Sequence, residues 1–435
     1  MATRSVSFFE RHFLFSNQLV LFILGLRSGQ SLNQQFFIFS AIIIYLLPGI
    51  IHQCYVLLAF SFYQFYQLST MDITMQSTVR VFQKIIASIG LLSSYSTTYF
   101  SFLKVHKFSY PKRIHCFQMK LLFTHFKLYC EQLSDEDEID IMKKYTNETK
   151  SYVYFILVSF KIYIILIISP SILQVFLNLL GLNDNQLILP IPVNNVTNSG
   201  LLYYFLLIYQ IFGIILVSTI GSVSLSAYLV AVQHACCQLS VIMYVFNHKK
   251  NISLLKIWQP FKKNSKYTRK VWSLKTSTMK WEWVVNIIQR YREATEYVNL
   301  LNEFSKITYL ITIFLAMILI IADFVYMFQI FKVSHNIIEI IECSIYIVVS
   351  MLLLYINFYL GQKLLNHSNA IFDELNKIPF YNFSINYQKL LLFLILRSGK
   401  PCVLSIGSMF VSSHVTFSGL MRKAFSFATV CYTVQ

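Results

Sequence analysis

Charged residues are scarce in this chain, and that scarcity excludes a soluble globular protein. Only 13% of the 435 residues are charged, whereas 56% are hydrophobic and the mean hydropathy is +0.57. A typical soluble domain carries about 25% charged residues. The composition therefore predicts a polytopic membrane protein.

Patterns of catalysis, metal binding and disulfide bonding are also missing. The eight cysteines include no C-x-x-C spacing, so neither a metal cluster nor a disulfide framework is expected. The sequence shows no catalytic triad or phosphate-binding loop, which argues against an enzyme and predicts no cofactor. No cleavable signal peptide is expected, because polar residues interrupt Phe13–Leu26 and no small-residue cleavage site follows it.

Long apolar runs are abundant, and a helix that spans a bilayer needs about 20 consecutive, mostly apolar residues. We predict an all-α polytopic membrane protein, a single domain over 1–435. Its seven transmembrane helices are predicted at Phe36–Phe60, Met75–Leu92, Tyr152–Leu177, Leu201–Val232, Ile307–Ile330, Ile337–Leu360 and, broken in two, Leu390–Thr433. The second is the weakest, because Arg80 and Lys84 lie within it.

The positive charges orient these helices. Eight Lys and Arg residues lie in 104–144 and twelve in 249–292, but none lies in 171–200. Since positively charged loops stay in the cytoplasm, the topology is inverted, with a cytoplasmic N-terminus and an extracellular C-terminus. The predicted cytoplasmic parts are the N-terminus (1–34), helix extensions with a basic loop (233–306) and an anchor region (361–400). This distribution also explains the net charge of +17 without a nucleic-acid partner.

The orientation is opposite to that of a G-protein-coupled receptor. No Asp-Arg-Tyr follows the third span, and no Asn-Pro-x-x-Tyr lies in the last. A secondary transporter is also disfavoured, because the sequence shows no repeated half and no inverted pair of broken helices.

Two polar clusters allow more than one interpretation. The acidic cluster Ser134–Asp140 favours a helix start capped by Ser134 over a calcium site, because the glycine and final glutamate of an EF-hand are missing. The third span would then run from about Ser134 to Pro170, where the proline kinks or ends it. His234 and Gln238 lie on one helical face, where a hydrogen bond between helices is favoured over a metal site that lacks a third ligand.

Two further features lie outside the bilayer. Asn195 begins a sequon in the predicted outer loop Gly181–Gly200 and is a predicted glycosylation site. The stretch Trp283–Leu301 has the period of an amphipathic helix that must bury one face against neighbouring helices or subunits. The apolar positions of that face are Ile287, Ile288, Tyr291, Ala294, Tyr297, Val298 and Leu301.

The end of the chain combines a helix break with a polar stripe. Gly399 and Pro401 disfavour one continuous helix through Arg397–Pro401, so a separate pore helix is predicted over 403–435. From Ser408 onward, steps of three or four residues place small or polar side chains on one face: Ser412, Thr416, Gly419, Lys423, Ser426, Val430 and Thr433. Such a stripe predicts either a pore lining or close packing against neighbouring helices.

The order and spacing of several short motifs make the chain resemble insect odorant receptors of the tuning, or ligand-binding, type over nearly its full length. These motifs are Leu21–Leu26, His234-x-x-x-Gln238-Leu239, Ile287–Arg290, Tyr359–Leu364, Leu396–Pro401, Phe417 and Ala424–Phe427. The sequence departs from the family pattern at Phe380, where a Trp is usual, and at Arg27, where an aromatic is common. The fourth-to-fifth loop also lacks the long insertion typical of the shared co-receptor.

The resemblance implies an odorant-gated, non-selective cation channel in the plasma membrane of sensory neurons. It implies a tetramer with the co-receptor, in which the last helix of each subunit lines a central pore and cytoplasmic helix ends form the intersubunit anchor. The gate is then expected at Val430, Thr433 and Val434, where converging apolar side chains close a pore by dewetting. Lys423 is the exception in this lining, because a positive side chain repels cations.

The ligand is expected to be a small, mostly apolar volatile molecule within the outer half of the helical bundle. Such a site calls for an aromatic-lined cavity with few polar groups. Candidate lining residues on the spans are Phe82, Phe160, Tyr163, Ile164, Tyr204, Ile208, Phe212 and Tyr346. The alternative for each is plain packing in the core or against lipid, because 16% of the chain is aromatic.

The main alternative is a gustatory-type ligand-gated channel. In that family the last span tends to end in Thr-Tyr, five apolar residues and Gln-Phe, whereas here Ser426-Phe427 leads to Thr433-Val434. A metabotropic receptor and a transporter are weaker alternatives, for the reasons given above.

Overall fold

Six helices and a two-stranded hairpin make up most of the described residues. The computed structural model describes residues 135–181, 200–257, 266–333, 337–378 and 385–433, with scattered residues within 34–42 and 125–133 and short pieces at 189–190 and 381. In chain order the elements are α1 (Glu136–Leu179), α2 (Leu201–Ile257), α3 (Lys266–Val333), α4 (Ile337–Asn376), α5 (Ile385–Ser398), β1 (Ser405–Ile406), β2 (Phe410–Val411) and α6 (His414–Thr433).

Four long helices confirm the apolar, membrane-spanning character of the predicted third to sixth spans. Stretches long and apolar enough to cross a bilayer lie in Glu136–Leu179, Leu201–Asn247, Ser305–Lys332 and Cys343–Asn376. The first two predicted spans, including Phe82, lie almost wholly outside the described residues, as does the sequon at Asn195. The count of seven spans and the inverted orientation remain predictions.

The start and course of α1 differ in detail from the prediction. The N-cap is Asp135, not Ser134, and its carboxylate accepts a hydrogen bond from the Asp137 backbone N–H. Glu136, Asp137 and Glu138 fill the first turn, where negative charge complements the helix dipole. Pro170 does not end the helix, which continues to Leu179, because a proline removes only one hydrogen bond while the turns on both sides remain intact.

The most completely buried region lies where α2, α3 and α4 pack together. Val232 and Leu239 of α2, Leu301 of α3 and Leu364 of α4 are wholly buried there. The predicted amphipathic face of α3 is confirmed, since its members are buried except for the half-buried Ile288. By contrast, most residues of each apolar, membrane-spanning stretch are not buried within the single chain.

The last two helices pack on α3 and α4. α1 packs on α2, α2 on α4, and α3 on α4, while α5 and α6 both contact α3 and α4. The all-α prediction needs one correction, because β1 and β2 form a short antiparallel hairpin that pairs Ser405 with Val411 and Ile406 with Phe410. This hairpin lies between the two halves of the predicted broken helix.

Candidate functional site

Two predicted ligand-site residues meet between α1 and α4. The rings of Tyr163 and Tyr346 pack edge to face with their centroids 5.4 Å apart. Phe160, one turn before Tyr163, is half-buried and packs against the main core. Ile164, the residue after Tyr163, is also half-buried. The α1 and α4 members of the predicted site therefore include one aromatic pair in direct contact.

The three predicted residues of α2 lie on the surface of the single chain. Tyr204, Ile208 and Phe212 are 40%, 68% and 58% exposed, whereas Tyr203 and Leu207 are buried at the same level of the helix. The structure therefore does not bury the three against the Tyr163–Tyr346 pair. Their place in a ligand site remains a prediction.

Asp323 of α3 is a polar group that the sequence reasoning did not single out. Its carboxylate is near enough to Tyr163 to interact with it electrostatically. Its backbone carbonyl accepts a hydrogen bond from the Cys343 thiol at 3.5 Å, which ties α3 to α4 at this level. A signal was available in the sequence, since Asp323 is the only acid of the apolar stretch Ser305–Lys332 and ionisable residues inside a membrane are commonly functional.

The predicted break in the last helix is confirmed, but the predicted start of the pore helix at 403 is wrong. α5 ends at Ser398, where the Gly399 N–H donates to the Ile395 carbonyl at 2.9 Å. The hairpin follows, with Gly407 and Ser408 in the left-handed region at φ 59° and 61°. α6 begins only at His414, so Ser408 and Ser412 do not lie on it.

The segment from Pro401 to Ser413 is here called the connector. Hydrogen bonds from its backbone groups hold it against α3. The Asn302 side chain donates to the Val403 carbonyl at 2.7 Å and accepts from the Ser405 N–H at 2.9 Å. The Gly407 N–H donates to the Lys306 carbonyl at 3.2 Å. A Cβ on Gly407 would come within 2.8 Å of Leu310, so the hairpin turn lies directly on α3.

The connector is also bound to α4. The Ser368 hydroxyl accepts from the Cys402 N–H at 2.8 Å, and the Ser412 hydroxyl donates to the Asn357 carbonyl at 3.3 Å. Ser412 is fully buried here, so the prediction that it lines a pore is wrong in this structure. The physical reason is the hairpin, which turns the chain so that residue 412 faces α4 instead of continuing the helical stripe.

The motif Tyr359–Leu364, one of those that carry the resemblance, lies at the junction between α4, the connector and α6. Gly361 leaves room for Ser412, because a Cβ at Gly361 would lie 2.4 Å from the Ser412 side chain. Gln362 accepts a hydrogen bond from the His414 N–H at 3.2 Å, which satisfies a free donor at the start of α6. Lys363 pairs with Glu148 of α1 and donates to Gln233 of α2 at 3.3 Å. Gly361, Gln362 and Lys363 thus join α4 to the connector, to α6 and to α1 and α2, respectively.

A second inner cluster surrounds His234. Its ring contacts Phe126, Tyr129 and Tyr297 at centroid distances of 3.9, 5.3 and 5.0 Å. His234 and Gln238 hydrogen-bond to each other within α2, at 3.0 Å, whereas the sequence predicted a hydrogen bond between helices. Within the described residues, no group of His, Cys, Asp or Glu could hold a metal ion.

Tyr297 closes this cluster from the amphipathic part of α3. Its hydroxyl donates to the Ala231 carbonyl of α2 at 3.2 Å. Burial raises the pKa of Tyr297 above its ordinary value, so the side chain remains a neutral donor. The contact therefore fixes the inner part of α3 to α2.

α6 presents two different faces. Its inner face holds the buried Ala424 and Ala428, and Phe425 contacts Phe324 of α3 with ring centroids 5.6 Å apart. Near its start Phe417 contacts Tyr355 of α4 at 5.3 Å. The helix is therefore packed against α3 and α4 along one side.

The other face of α6 carries most of the predicted stripe. Lys423, Ser426, Val430 and Thr433 are exposed, and Thr416 and Gly419 are partly exposed. The Thr416 hydroxyl also donates to the Val411 carbonyl at 2.7 Å, so it helps to hold the first turn. Val434 lies outside the described residues.

Comparison with known proteins identifies the family. The sequence model of the 7tm odorant receptor family matches residues 88–425. The structure is similar to the insect olfactory receptor OR5 from Machilis hrabei in complex with eugenol, with a TM-score of 0.65 at 9% identity over 93% of this chain and 91% of that one. It is also similar to a second structure of the same receptor, with a TM-score of 0.64 at 11% identity over 98% and 100% of the two chains. No curated protein sequence matches.

Proposed function

This chain belongs to the 7tm odorant receptor family, and from that premise we propose that it is a subunit of an odorant-gated, non-selective cation channel. It is a multi-pass membrane protein of a receptor family, not of an enzyme family. In this proposal a volatile molecule binds within the transmembrane bundle and opens a central pore that the chain forms with the co-receptor. The assembly lies in the plasma membrane of sensory neurons, with the N-terminus in the cytoplasm.

The two faces of α6 carry the pore proposal. One face packs on α3 and α4, and the opposite face exposes Lys423, Ser426 and Thr433. α6 is 20 residues long, but it is not among the described helices apolar enough to cross a membrane by composition. Since polar groups inside a bilayer need water or protein partners, this face fits the wall of an aqueous pore.

The anchor helix α5 supports assembly into an oligomer. Leu392, Phe393 and Leu396 are 56%, 69% and 64% exposed on its surface. A contiguous apolar face in a region predicted to lie in the cytoplasm needs a protein partner. The proposed partner is the corresponding region of the co-receptor, in a tetramer.

Patch-clamp recording from cells that express this chain with the co-receptor tests the proposal. A panel of volatiles should include at least one that evokes a cation current, and that current should persist when G-protein signalling is blocked. Cells with the co-receptor alone should not respond to the same volatile. A current that requires G-protein signalling would instead support a metabotropic receptor, and the absence of any response to a broad panel would contradict the proposal.

Tyr163→Ala tests the ligand site between α1 and α4. Loss of the aromatic pair with Tyr346 should raise the odorant concentration for half-maximal current about fivefold, because aromatic contacts contribute roughly 1 kcal/mol beyond buried area. Tyr154→Ala is the matched control, since Tyr154 is on the same helix and 70% exposed. Equal effects of the two substitutions on odorant sensitivity would remove Tyr163 from the ligand site.

Val430→Ser tests the gate proposed at Val430, Thr433 and Val434. A hydroxyl at this exposed position should favour water in the closed constriction and raise the odorant-independent current severalfold. Val415→Ser, at the other end of α6, makes the same chemical change at a position 79% exposed. It should leave the basal current near the wild-type value. A basal current unchanged by Val430→Ser at normal surface expression would place the gate elsewhere.

A further inference from the structure

The last part of the chain is positively charged and has no acid of its own. After Glu374 the sequence contains six Lys and Arg residues and no Asp or Glu. The only Lys or Arg residues in 405–435 are Arg422 and Lys423, and both are exposed on α6. Any compensating negative charge for these two must come from another helix, another subunit or the solvent.

Neither side chain has a partner among the ion pairs of the described residues. The described pairs join Lys143 to Asp140, Arg290 to Glu138, Arg292 to Glu296, Lys363 to Glu148 and Lys377 to Glu374. The α3 acid nearest in sequence to the α6 contact is Asp323, next to Phe324, and its described neighbour is Tyr163 of α1. Arg422 and Lys423 therefore keep their charge facing away from the bundle.

Helical geometry separates the two cations. Successive residues of an α-helix differ by about 100° around its axis. Lys423 shares its side of α6 with Thr416 and Val430, which lie seven residues away on the predicted pore stripe. Arg422 instead shares a side with Val415 and Thr429, nearer to a flank of that stripe. Only Lys423 belongs to the line of residues that leads to the proposed gate.

We propose that Lys423 lowers the permeability of the open channel to divalent cations relative to monovalent ones. The inference rests on the proposed function, because it requires α6 to line the pore. A fixed positive charge opposes each ion in proportion to the ion's valence, so it discriminates most strongly against Ca²⁺. At about 8 Å in water, one unit charge changes the local concentration of a monovalent cation roughly twofold and that of a divalent cation roughly fivefold. Salt screening reduces both factors.

In a mixed tetramer, the Lys423 side chain would let the tuning subunit influence the ion selectivity of the pore. The co-receptor subunits contribute their own pore helices, and the present chain adds one lysine at the level of residue 423. The current through the assembly would then carry a smaller share of Ca²⁺ than the same pore without that charge. The identity of the tuning subunit would thus affect the ionic composition of the response as well as its odorant selectivity.

Reversal potentials of odorant-evoked currents under bi-ionic Ca²⁺ and Na⁺ conditions test the proposal, with the full chain and the co-receptor expressed together. Lys423→Gln should raise the permeability ratio of Ca²⁺ to Na⁺ about twofold. Lys423→Glu should raise it further, because it reverses the charge. Arg422→Gln is the matched control: it removes the same charge one residue earlier and should change the ratio less than Lys423→Gln.

The outcomes separate the inference from the function on which it rests. An odorant-evoked current whose permeability ratio is the same in wild type, Lys423→Gln and Lys423→Glu would overturn the role of Lys423 and leave the channel proposal intact. An equal rise in Lys423→Gln and Arg422→Gln would overturn the assignment to Lys423. If wild type itself gave no odorant-evoked current, the channel proposal would fail. Surface labelling of each variant establishes that the compared currents come from assembled protein.

Discussion

Replacing Gly361 by alanine is expected to abolish most of the odorant-evoked current. The new Cβ would lie 2.4 Å from the Ser412 side chain and 2.5 Å from its backbone carbonyl oxygen, so α4 and the connector must move apart. The Ser412–Asn357 and His414–Gln362 hydrogen bonds lie beside this contact and would be strained with it. Overpacking of this kind typically costs about 1–3 kcal/mol. We expect at least a tenfold loss of maximal current, measured by patch clamp at matched surface expression.

Gly399→Ala provides the comparison within the same region. A Cβ at Gly399 would make only ordinary contacts, the nearest at 3.5 Å, and its backbone is not in the left-handed region. This variant should retain most of the current and melt near the wild-type temperature. A Gly361→Ala channel with wild-type current and melting temperature would show that the close approach of α4 and Ser412 is not needed for function.

Removing Glu138 is expected to destabilise the receptor by about 3 kcal/mol. Its carboxylate pairs with Arg290 at 2.9 Å, and the two side chains are only 4% and 24% exposed. When one partner of a buried ion pair is removed, the other charge remains desolvated and uncompensated, which typically costs 3–5 kcal/mol. Because Arg290 is partly exposed to solvent, the expected loss of stability lies at the lower end of that range. The measurement is the melting temperature of purified Glu138→Ala receptor in detergent.

The exposed ion pair between Asp140 and Lys143, close to Glu138 on α1, provides the control. Asp140 and Lys143 also form an ion pair, at 2.7 Å, but their side chains are 69% and 49% exposed. Asp140→Ala removes an acid from the same end of α1 and should cost less than about 1 kcal/mol, as exposed pairs do. Similar melting temperatures for the two variants would mean that burial of the Glu138–Arg290 pair contributes little.

The buried face of the amphipathic part of α3 was predictable because one side of the helix contacts protein and the other side contacts solvent. The spacing of Ile287, Tyr291 and Leu301 predicts a buried face, and all three are buried. The helix break was predictable for a local reason, since Gly399 and Pro401 disfavour a continuous helix at any tertiary position. In both cases the information lies within one short stretch of sequence.

The faces of α2 were not predictable in the same way. That helix is apolar on all sides where it crosses the membrane, so the period of hydrophobic residues does not distinguish lipid from bundle. The positions chosen from sequence, Tyr204, Ile208 and Phe212, are exposed, whereas Tyr203 and Leu207 are buried. Only the packing of α2 against the other helices sets this choice.

The connector escaped prediction because its partners are distant in sequence. Its strands have two residues each, too few for an alternating pattern. Its conformation depends on Asn302, about a hundred residues earlier, which holds both Val403 and Ser405. The polar stripe on α6 was predictable from Thr416 onward, but Ser412 was assigned to it wrongly because the hairpin interrupts the helix.

Because α4 is one continuous helix, a small tilt at one end moves its other end by a larger distance. Tyr346, in the candidate ligand site, and Gln362, at the start of α6, lie sixteen residues apart on one continuous helix. At 1.5 Å per residue that arm is about 24 Å long. A tilt of only about 3° at the ligand end would therefore displace the far end by roughly 1 Å. In the proposed channel, a volatile molecule bound beside Tyr346 would in this way shift the start of α6 without rearranging any helix internally.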